Sequence, residues 1–163
     1  MLVVPKIKLD ELDNKLIREL KLDSRRSVRQ LAKSLNESPS TIYNRVKRLE
    51  AKEIIKKWTV TLDYTALNLD TVAFVFVSLG ATDQSKTNGR FNRHSIVEQL
   101  KRIEGIYEIH FVSGEADLLI KIRADSIKSI GTIVMNEVRT LPGVVSTVTN
   151  TCFESIIDET DVL

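Results

Sequence analysis

Residues 38–52, Ser-Pro-Ser-Thr-Ile-Tyr-Asn-Arg-Val-Lys-Arg-Leu-Glu-Ala-Lys, carry the groups in this chain best suited to recognising another polymer. Wound at about 100° per residue, Ile42, Val46 and Leu49 form one apolar stripe. The opposite face presents Ser40, Asn44 and Lys47, with Ala51 further along. Thr41, Arg45 and Arg48 lie on one flank and Tyr43 on the other. A carboxamide can pair with adenine and a guanidinium with guanine, while hydroxyls and cations reach phosphates. This face holds no acid before Glu50, whereas a helix that is only solvated interleaves Glu with Lys. The pattern predicts a helix that enters the major groove of duplex DNA, with contacts from Ser38, Ser40, Thr41, Tyr43, Asn44, Arg45, Lys47 and Arg48.

Two further helices are needed to present it. In Asp10–Leu22, Leu12, Leu16, Ile17 and Leu20 recur at helical spacing, Asp10 is a good N-cap, and Glu11 and Asp13 suit the positive end of the helix dipole. The next helix opens at Ser27 with Gln30 three residues on, a capping-box pattern, and buries Val28, Leu31, Ala32 and Leu35. The turn Asn36-Glu37-Ser38-Pro39 follows, with Ser38 as cap and Pro39 in the first helical position, where its missing N–H costs nothing. Two helices joined by such a turn behind a supporting helix make a helix-turn-helix. Arg25, Arg26 and Arg29 flank the second helix's start, near the DNA backbone it would cross. Ser27 and Arg29 are counted among the expected contacts.

Charge agrees with that assignment. The net charge of +2 hides an uneven division: residues 1–57 carry 15 Lys+Arg against 8 Asp+Glu, and residues 58–163 carry 9 against 14. A basic first domain points to a polyanion partner, although an uneven distribution of ordinary surface charge would look the same. One cysteine, Cys152, excludes an intramolecular disulfide and a thiolate metal cluster. The longest apolar run, Val72 to Ala81, is about half the length of a membrane span, and Met1–Lys6 lacks the features of a secretion signal. A soluble, cytoplasmic protein with no membrane partner is expected.

The second half changes rhythm. Trp58–Asp63 alternates like a strand and is expected to connect the domains within a 58–70 hinge, with Trp58 as a packing anchor. Thr71–Leu79 reads as a buried strand, residues 83–94 as a polar stretch, and Ser95–Arg102 as a helix with Ile96, Val97, Leu100 and Ile103 apolar. Ile106–Val112 and Asp117–Arg123 read as strands around the turn Ser113–Ala116. Ile127, Ile130, Val134, Val138 and Leu141 mark a helix face ended by Pro142-Gly143, and Val144–Phe153 is the last strand. The order strand, helix, strand, strand, helix, strand gives an α+β domain over 71–163, an antiparallel four-stranded sheet with both helices on one face. Val72, Phe74, Phe76, Ile109, Phe111 and Leu119 are expected on the other face. That is more apolar material than an open surface carries, so a second copy is expected to pack there about a two-fold axis. Such a dimer offers two reading helices to two half-sites.

Taken in order, Leu9-Asp-Glu-Leu-Asp13, Ser38-Pro-Ser-Thr41, Arg45-Val-Lys-Arg-Leu-Glu50, Val112-Ser-Gly-Glu115 and Leu141-Pro-Gly-Val144 resemble the Lrp/AsnC family of feast/famine transcription regulators, from about Leu9 to Ile157. The resemblance implies a winged or simple helix-turn-helix over 1–57 and a ferredoxin-like, ligand-responsive second domain. It also implies homodimers that assemble further, commonly to octamers, and an amino-acid effector bound between dimers. By position, that site would comprise Val112, Ser113, Gly114, Glu115, Ala116 and Asp117 with Thr147, Thr149, Asn150 and Thr151. Glu115 or Asp117 can accept from a ligand ammonium, and turn amides or threonine hydroxyls can donate to its carboxylate. Polar Asn150 and Thr151 point to a polar effector such as glutamine. No cofactor or metal is expected. A Gly-Glu-x-Asp turn is also an ordinary hairpin connection, and threonines are good strand formers.

Three other readings compete. A few relatives of this architecture modify tetrapyrroles, as in sirohaem decarboxylation, using histidine in the second domain. Here only His94 and His110 are present, with no acid, nucleophile or metal partner spaced to assist. RNA binding through the sheet needs exposed aromatics in a basic strand, whereas Asp117-Leu-Leu-Ile-Lys-Ile122 has none. The third is a DNA-binding protein without an effector.

Overall fold

The computed structural model describes residues 8–80 and 93–155, in two compact units that divide after Thr61. Most of the polar 83–94 stretch lies outside the described residues, as does the side chain of His94.

The first unit is built from α1 (Glu11–Leu22), α2 (Val28–Leu35) and α3 (Pro39–Ala51). Each begins where a side chain satisfies an amide that the first turn leaves unpaired. The Asp10 carboxylate accepts from the Asp13 N–H at 2.8 Å, Ser27 and Gln30 cap each other reciprocally, and the Ser38 hydroxyl accepts from the Thr41 N–H at 3.1 Å ahead of Pro39. α2 stops because Asn36 turns left-handed (φ 54°), which lets the Glu37 N–H return to the Ala32 carbonyl at 2.9 Å. Leu16, Leu20, Leu31, Ala32, Ile42 and Leu49 close the core, with Ile54 and Ile55 brought back against it when both their amides bond the Leu49 carbonyl. Among the described residues of this unit no paired strands follow α3, so no wing is seen beside the helices there.

The second unit runs β1 (Thr71–Leu79), α4 (Arg93–Leu100), β2 (Ile106–Phe111), β3 (Leu118–Ala124), α5 (Ile127–Ile133), a π-helical turn (Val134–Val138) and β4 (Val144–Thr151). The sheet order is β2-β3-β1-β4, all antiparallel, the ferredoxin-like arrangement. Ala73, Val75 and Val77 of β1 and Leu118, Ile120 and Ile122 of β3 form one face, under Ile96 and Leu100 of α4 and Ile130, Val134 and Val138 of the last helical segment. In a pure α-helix a four-residue repeat drifts by about 40° per step. The wider π turn, closed by the Arg139 N–H on the Val134 carbonyl at 2.9 Å, keeps Val138 over the sheet.

Three expectations are corrected here. Trp58–Asp63 forms no strand, because a strand needs a hydrogen-bonded neighbour and the described residues supply none. Val60 and Leu62 are exposed, and Trp58 is half-exposed instead of packed. Ile109 and Phe111 lie on the helix-covered side: a bulge between Ile106 and Glu108 shifts the register, so Ile109 pairs with Ile120 and packs on the core, Phe111 pairs with Leu118 though it stays exposed, and Glu108 and His110 face the other way. Ile127, first residue of α5, is exposed beyond the Ser126 cap.

Gly105 shows how tightly β2 is set. Its φ of +89° disfavours any side chain, and an added Cβ would meet the Arg123 carbonyl oxygen and Ile133 Cδ1, both at 3.0 Å. Gly105→Ala is expected to lower the stability of this unit by about 2–3 kcal/mol. Urea unfolding followed by circular dichroism would measure it, and an unchanged midpoint would contradict the tight fit.

Candidate functional site

On α3 the core stripe leaves Ser40, Tyr43, Asn44 and Lys47 exposed, as the spacing predicts. The flank differs. Arg45 and Arg48 turn toward α1, where Arg45 Nη1 donates to Asp10 Oδ2 at 2.6 Å and to Asp13 Oδ1 at 2.8 Å, and Arg48 Nη2 donates to Asp13 Oδ1 at 2.6 Å. The Asp13 side chain is buried, with a relative exposure of 1%, while Arg45 keeps 23% and Arg48 44%. Both guanidiniums are thus engaged inside the domain. These ion pairs give the two arginines a role beside the expected DNA contact: they hold α3 to α1.

Sequence reading assigned Asp10 and Asp13 only to capping and the dipole. The signal was present, since two carboxylates three residues apart on α1 match two guanidiniums three residues apart on α3. Burial pushes the Asp13 carboxyl up, but the bonds from Arg45, the Asp10 N–H and Arg48 outweigh it, leaving the group below its ordinary value. Because the folded value lies below the unfolded value of about 3.9, the stabilisation is complete above that pH and fades as pH falls through the folded value.

The rest of the surface is arranged around caps. The Ser38 hydroxyl lies 2.9 Å from Ser40 Oγ and 2.8 Å from Thr41 Oγ1, so three hydroxyls cluster at the start of α3. Ser27 is exposed and tied to Gln30, and Arg29 is exposed on the first turn of α2. At the other end of α3, Glu50 accepts from Lys47 Nζ at 3.0 Å and from Trp58 Nε1 at 2.9 Å. The indole bond comes first in holding the Glu50 carboxyl below its usual range, with Lys47 next.

In the second unit the 112–117 turn folds over one end of β1. The Asp117 N–H donates to the Val77 carbonyl at 3.0 Å, Asp117 Oδ2 accepts from the Leu79 N–H at 2.8 Å, and Ser78 Oγ bonds the Glu115 carbonyl at 3.4 Å. Asp117 is therefore a latch of the turn. Ser113, Gly114 and Glu115 are exposed, with Val112 and Ala116 half-buried beside them. Thr147 pairs with Val77 and so lies beside this turn. Thr149 and Thr151 follow on the same face but pair with Val75 and Ala73, placing Thr151 about 13 Å further along β4. Asn150 pairs with Phe74 on the other face. Within one chain the turn meets Thr147 and not the other three.

On the uncovered sheet face, Phe74, Phe76 and Leu119 are half-buried and Val148 is exposed. Lys121 donates to Glu108 at 3.0 Å, and Glu108 also lies 3.1 Å from His110 Nε2. The Arg123 guanidinium stacks 4.1 Å from the Tyr64 ring, which meets Tyr107 edge-on. Among the described residues no group of His, Cys, Asp and Glu is placed to hold a metal, and no helix is long and apolar enough to cross a membrane.

A helix-turn-helix ahead of a ferredoxin-like sheet defines a two-domain, DNA-binding transcriptional regulator with a ligand-binding domain. Residues 9–50 match the AsnC-type helix-turn-helix domain, and residues 72–162 match the Lrp/AsnC ligand binding domain. The chain belongs to the Lrp/AsnC family. It is 34% identical, over 93% of its length and 97% of the relative's, to an uncharacterised HTH-type transcriptional regulator of Pyrococcus abyssi. Its fold is similar to that of LrpC of Bacillus subtilis (TM-score 0.78, 28% identity, 94% and 99% of the two chains). It is also similar to that of a Neisseria meningitidis transcriptional regulator in complex with L-Met (TM-score 0.83, 20% identity, 96% and 97%).

Asp13→Asn is expected to lower the stability of the helical unit by about 1–3 kcal/mol at neutral pH, since it removes the buried carboxylate that Arg48 bonds and leaves Arg45 with Asp10 alone. The gap from the native chain should begin to narrow as pH drops below the unfolded carboxyl value of about 3.9, and close only once pH has passed below the lowered folded value, where Asp13 is protonated in both states. Thermal melts across pH would test this, and a gap independent of pH would rule the ion pairs out as its source.

Proposed function

We propose that the chain reads an operator in duplex DNA with the exposed Ser40, Tyr43, Asn44 and Lys47 strip of α3. The observation that carries this reading is that strip itself, a polar and cationic face turned to solvent while its neighbours Arg45 and Arg48 lock the helix from behind. Asn44 is the base reader and Lys47 a phosphate contact. Ser27, Arg29, Ser38 and Thr41 sit at helix starts, where amides and hydroxyls receive phosphates. Arg45 and Arg48 add to binding mainly by fixing the angle of α3. A cytoplasmic location accompanies this role, and regulation rather than catalysis is its business, as the relatives named transcriptional regulators support.

The second unit, in this reading, self-associates through the Phe74, Phe76, Leu119 and Val148 face to make a homodimer, which builds toward an octamer as the family resemblance implies. Its effector is a free amino acid at the Ser113–Glu115 turn. Glu115 accepts from the ammonium, Gly114 and its neighbours offer amides to the carboxylate, and Thr147 flanks the turn. Thr149, Asn150 and Thr151 lie too far along β4 to join them in one chain, so they belong to the site only if another copy brings them in. The Neisseria meningitidis protein's L-Met complex makes methionine the first ligand to try, with glutamine as the polar alternative.

Fluorescence anisotropy with a duplex selected from random sequence would test the DNA reading. Asn44→Ala is expected to lose about 5- to 150-fold on the selected site, the range for one paired base contact, and little on random duplex. Lys47→Gln should weaken both and flatten the salt slope by about one unit. Failure to bind any duplex at low ionic strength would end the proposal. For the effector, calorimetry with methionine and glutamine should give heat that Glu115→Ala abolishes; heat surviving that change would move the site elsewhere.

A further inference from the structure

Glu50 is the one acid on the reading side of α3, and both its oxygens are occupied: Oε2 by Lys47 Nζ at 3.0 Å and Oε1 by the Trp58 indole N–H at 2.9 Å. Lys47 belongs to the exposed strip. Trp58 belongs to the segment that leads from α3 toward the sheet unit, and it is the only tryptophan in the chain. Trp58 also lines an open cavity of about 720 Å³, together with Ile17 and Leu20 of α1 and Ile54, Ile55 and Val60. The position of the indole therefore depends on what the post-α3 segment does against α1.

We propose that Glu50 is a positioning residue for the DNA contact: it clasps Lys47 along the helix, and Trp58 sets how firmly it does so. The inference rests on the DNA reading above. Exposed lysine–glutamate pairs are weak because two flexible side chains must be ordered together. Here the indole holds the carboxylate in place beforehand, so only Lys47 must be ordered when the pair forms. Glu50 keeps 30% of its side chain exposed, against 59% for Lys47, as expected when one partner is fixed and the other reaches to it. A phosphate competes with Glu50 for the Lys47 ammonium, and the clasp opposes binding by whatever it is worth. Anything that pulls Trp58 off Glu50 loosens the clasp and raises affinity. By reciprocity, DNA that draws Lys47 away changes the setting of Trp58.

The test uses the full chain and a random-sequence duplex, so that no operator need be known. Glu50→Gln is expected to raise affinity about two- to fivefold, the range of such a pair. The gain should disappear in a Lys47→Gln background. If Glu50 merely repelled DNA, its neutralisation would help equally in both backgrounds, and that result overturns the clasp. Trp58→Phe, mild at a half-exposed position, should give a smaller gain that adds nothing to Glu50→Gln; additive gains overturn the coupling. Independently, the emission of Trp58 should shift on saturation with duplex in the native chain and not in Lys47→Gln at saturating duplex and low salt. Unchanged emission in the native chain would also refute the coupling. Should the native chain bind no duplex at all, the DNA reading fails first, and the two failures remain distinct.

Discussion

Asp13 has almost no exposed surface, yet it is ionised and shared between two guanidiniums from a helix more than thirty residues away. A carboxylate taken out of water loses several kcal/mol of hydration, which only short, well-directed bonds from cations and amides can offset. Arg45, Arg48 and the Asp10 N–H supply them. The consequence is orientation more than net stability. Ile42, Val46 and Leu49 would pack against α1 and α2 almost as well if α3 rolled by a fraction of a turn, because apolar contact has no direction. The ion pairs do have direction. With the Arg45 and Arg48 flank pinned to α1, Tyr43, Asn44 and Lys47 must face outward, so the reading face follows from a buried charge on a different helix.

The same division between undirected burial and a few directed bonds governs the sheet. β1 and β3 are central and carry apolar residues on both faces. One face is filled by α4 and α5, while the other is closed at one corner by Tyr64 and Tyr107 around Arg123. Lys121 and Arg123 lie almost fully buried among Val72, Phe74 and Leu119, their stems along apolar surface and their heads on Glu108 and the tyrosine rings. A second copy laid on this face would meet charges already matched and phenylalanines still half in water. That is why self-association is a physically sensible use of it.

Most of the architecture was legible because caps and periodicity act locally. Ser27 with Gln30, Ser38 with Pro39, and the runs 71–79 and 118–124 needed no distant information. What failed were inferences that depend on a partner. Trp58–Asp63 has the alternation of a strand but no neighbour to bond. Ile109 was assigned a face by simple alternation, and one bulged residue in β2 reversed it. The ion pairs of Arg45 and Arg48 are legible only as matching spacings of Asp10 with Asp13 and of Arg45 with Arg48, because the fold alone brings carboxylates up to thirty-five residues earlier beside them. Strand register sets Thr147 beside the 112–117 turn within one chain; the expected effector site lies between dimers, so the places of Thr149, Asn150 and Thr151 along β4 do not bear on it.

The basic charge of the first half then takes on a different meaning. On α3 itself the cations are largely compensated, Arg45 and Arg48 by Asp10 and Asp13 and Lys47 by Glu50. The excess of positive charge comes instead from exposed residues around the rim, among them Arg25, Arg29, Lys33, Lys52, Lys56 and Lys57. Rim cations act over the Debye length, about 8 Å at physiological salt, and draw in any duplex regardless of sequence. A reading face that carried the same bare charge would bind every phosphate it met and lose discrimination. On the proposed reading, holding its cations in internal pairs lets the field of the rim bring DNA close, while Asn44 and a released Lys47 engage only where the groove offers enough to break the clasp.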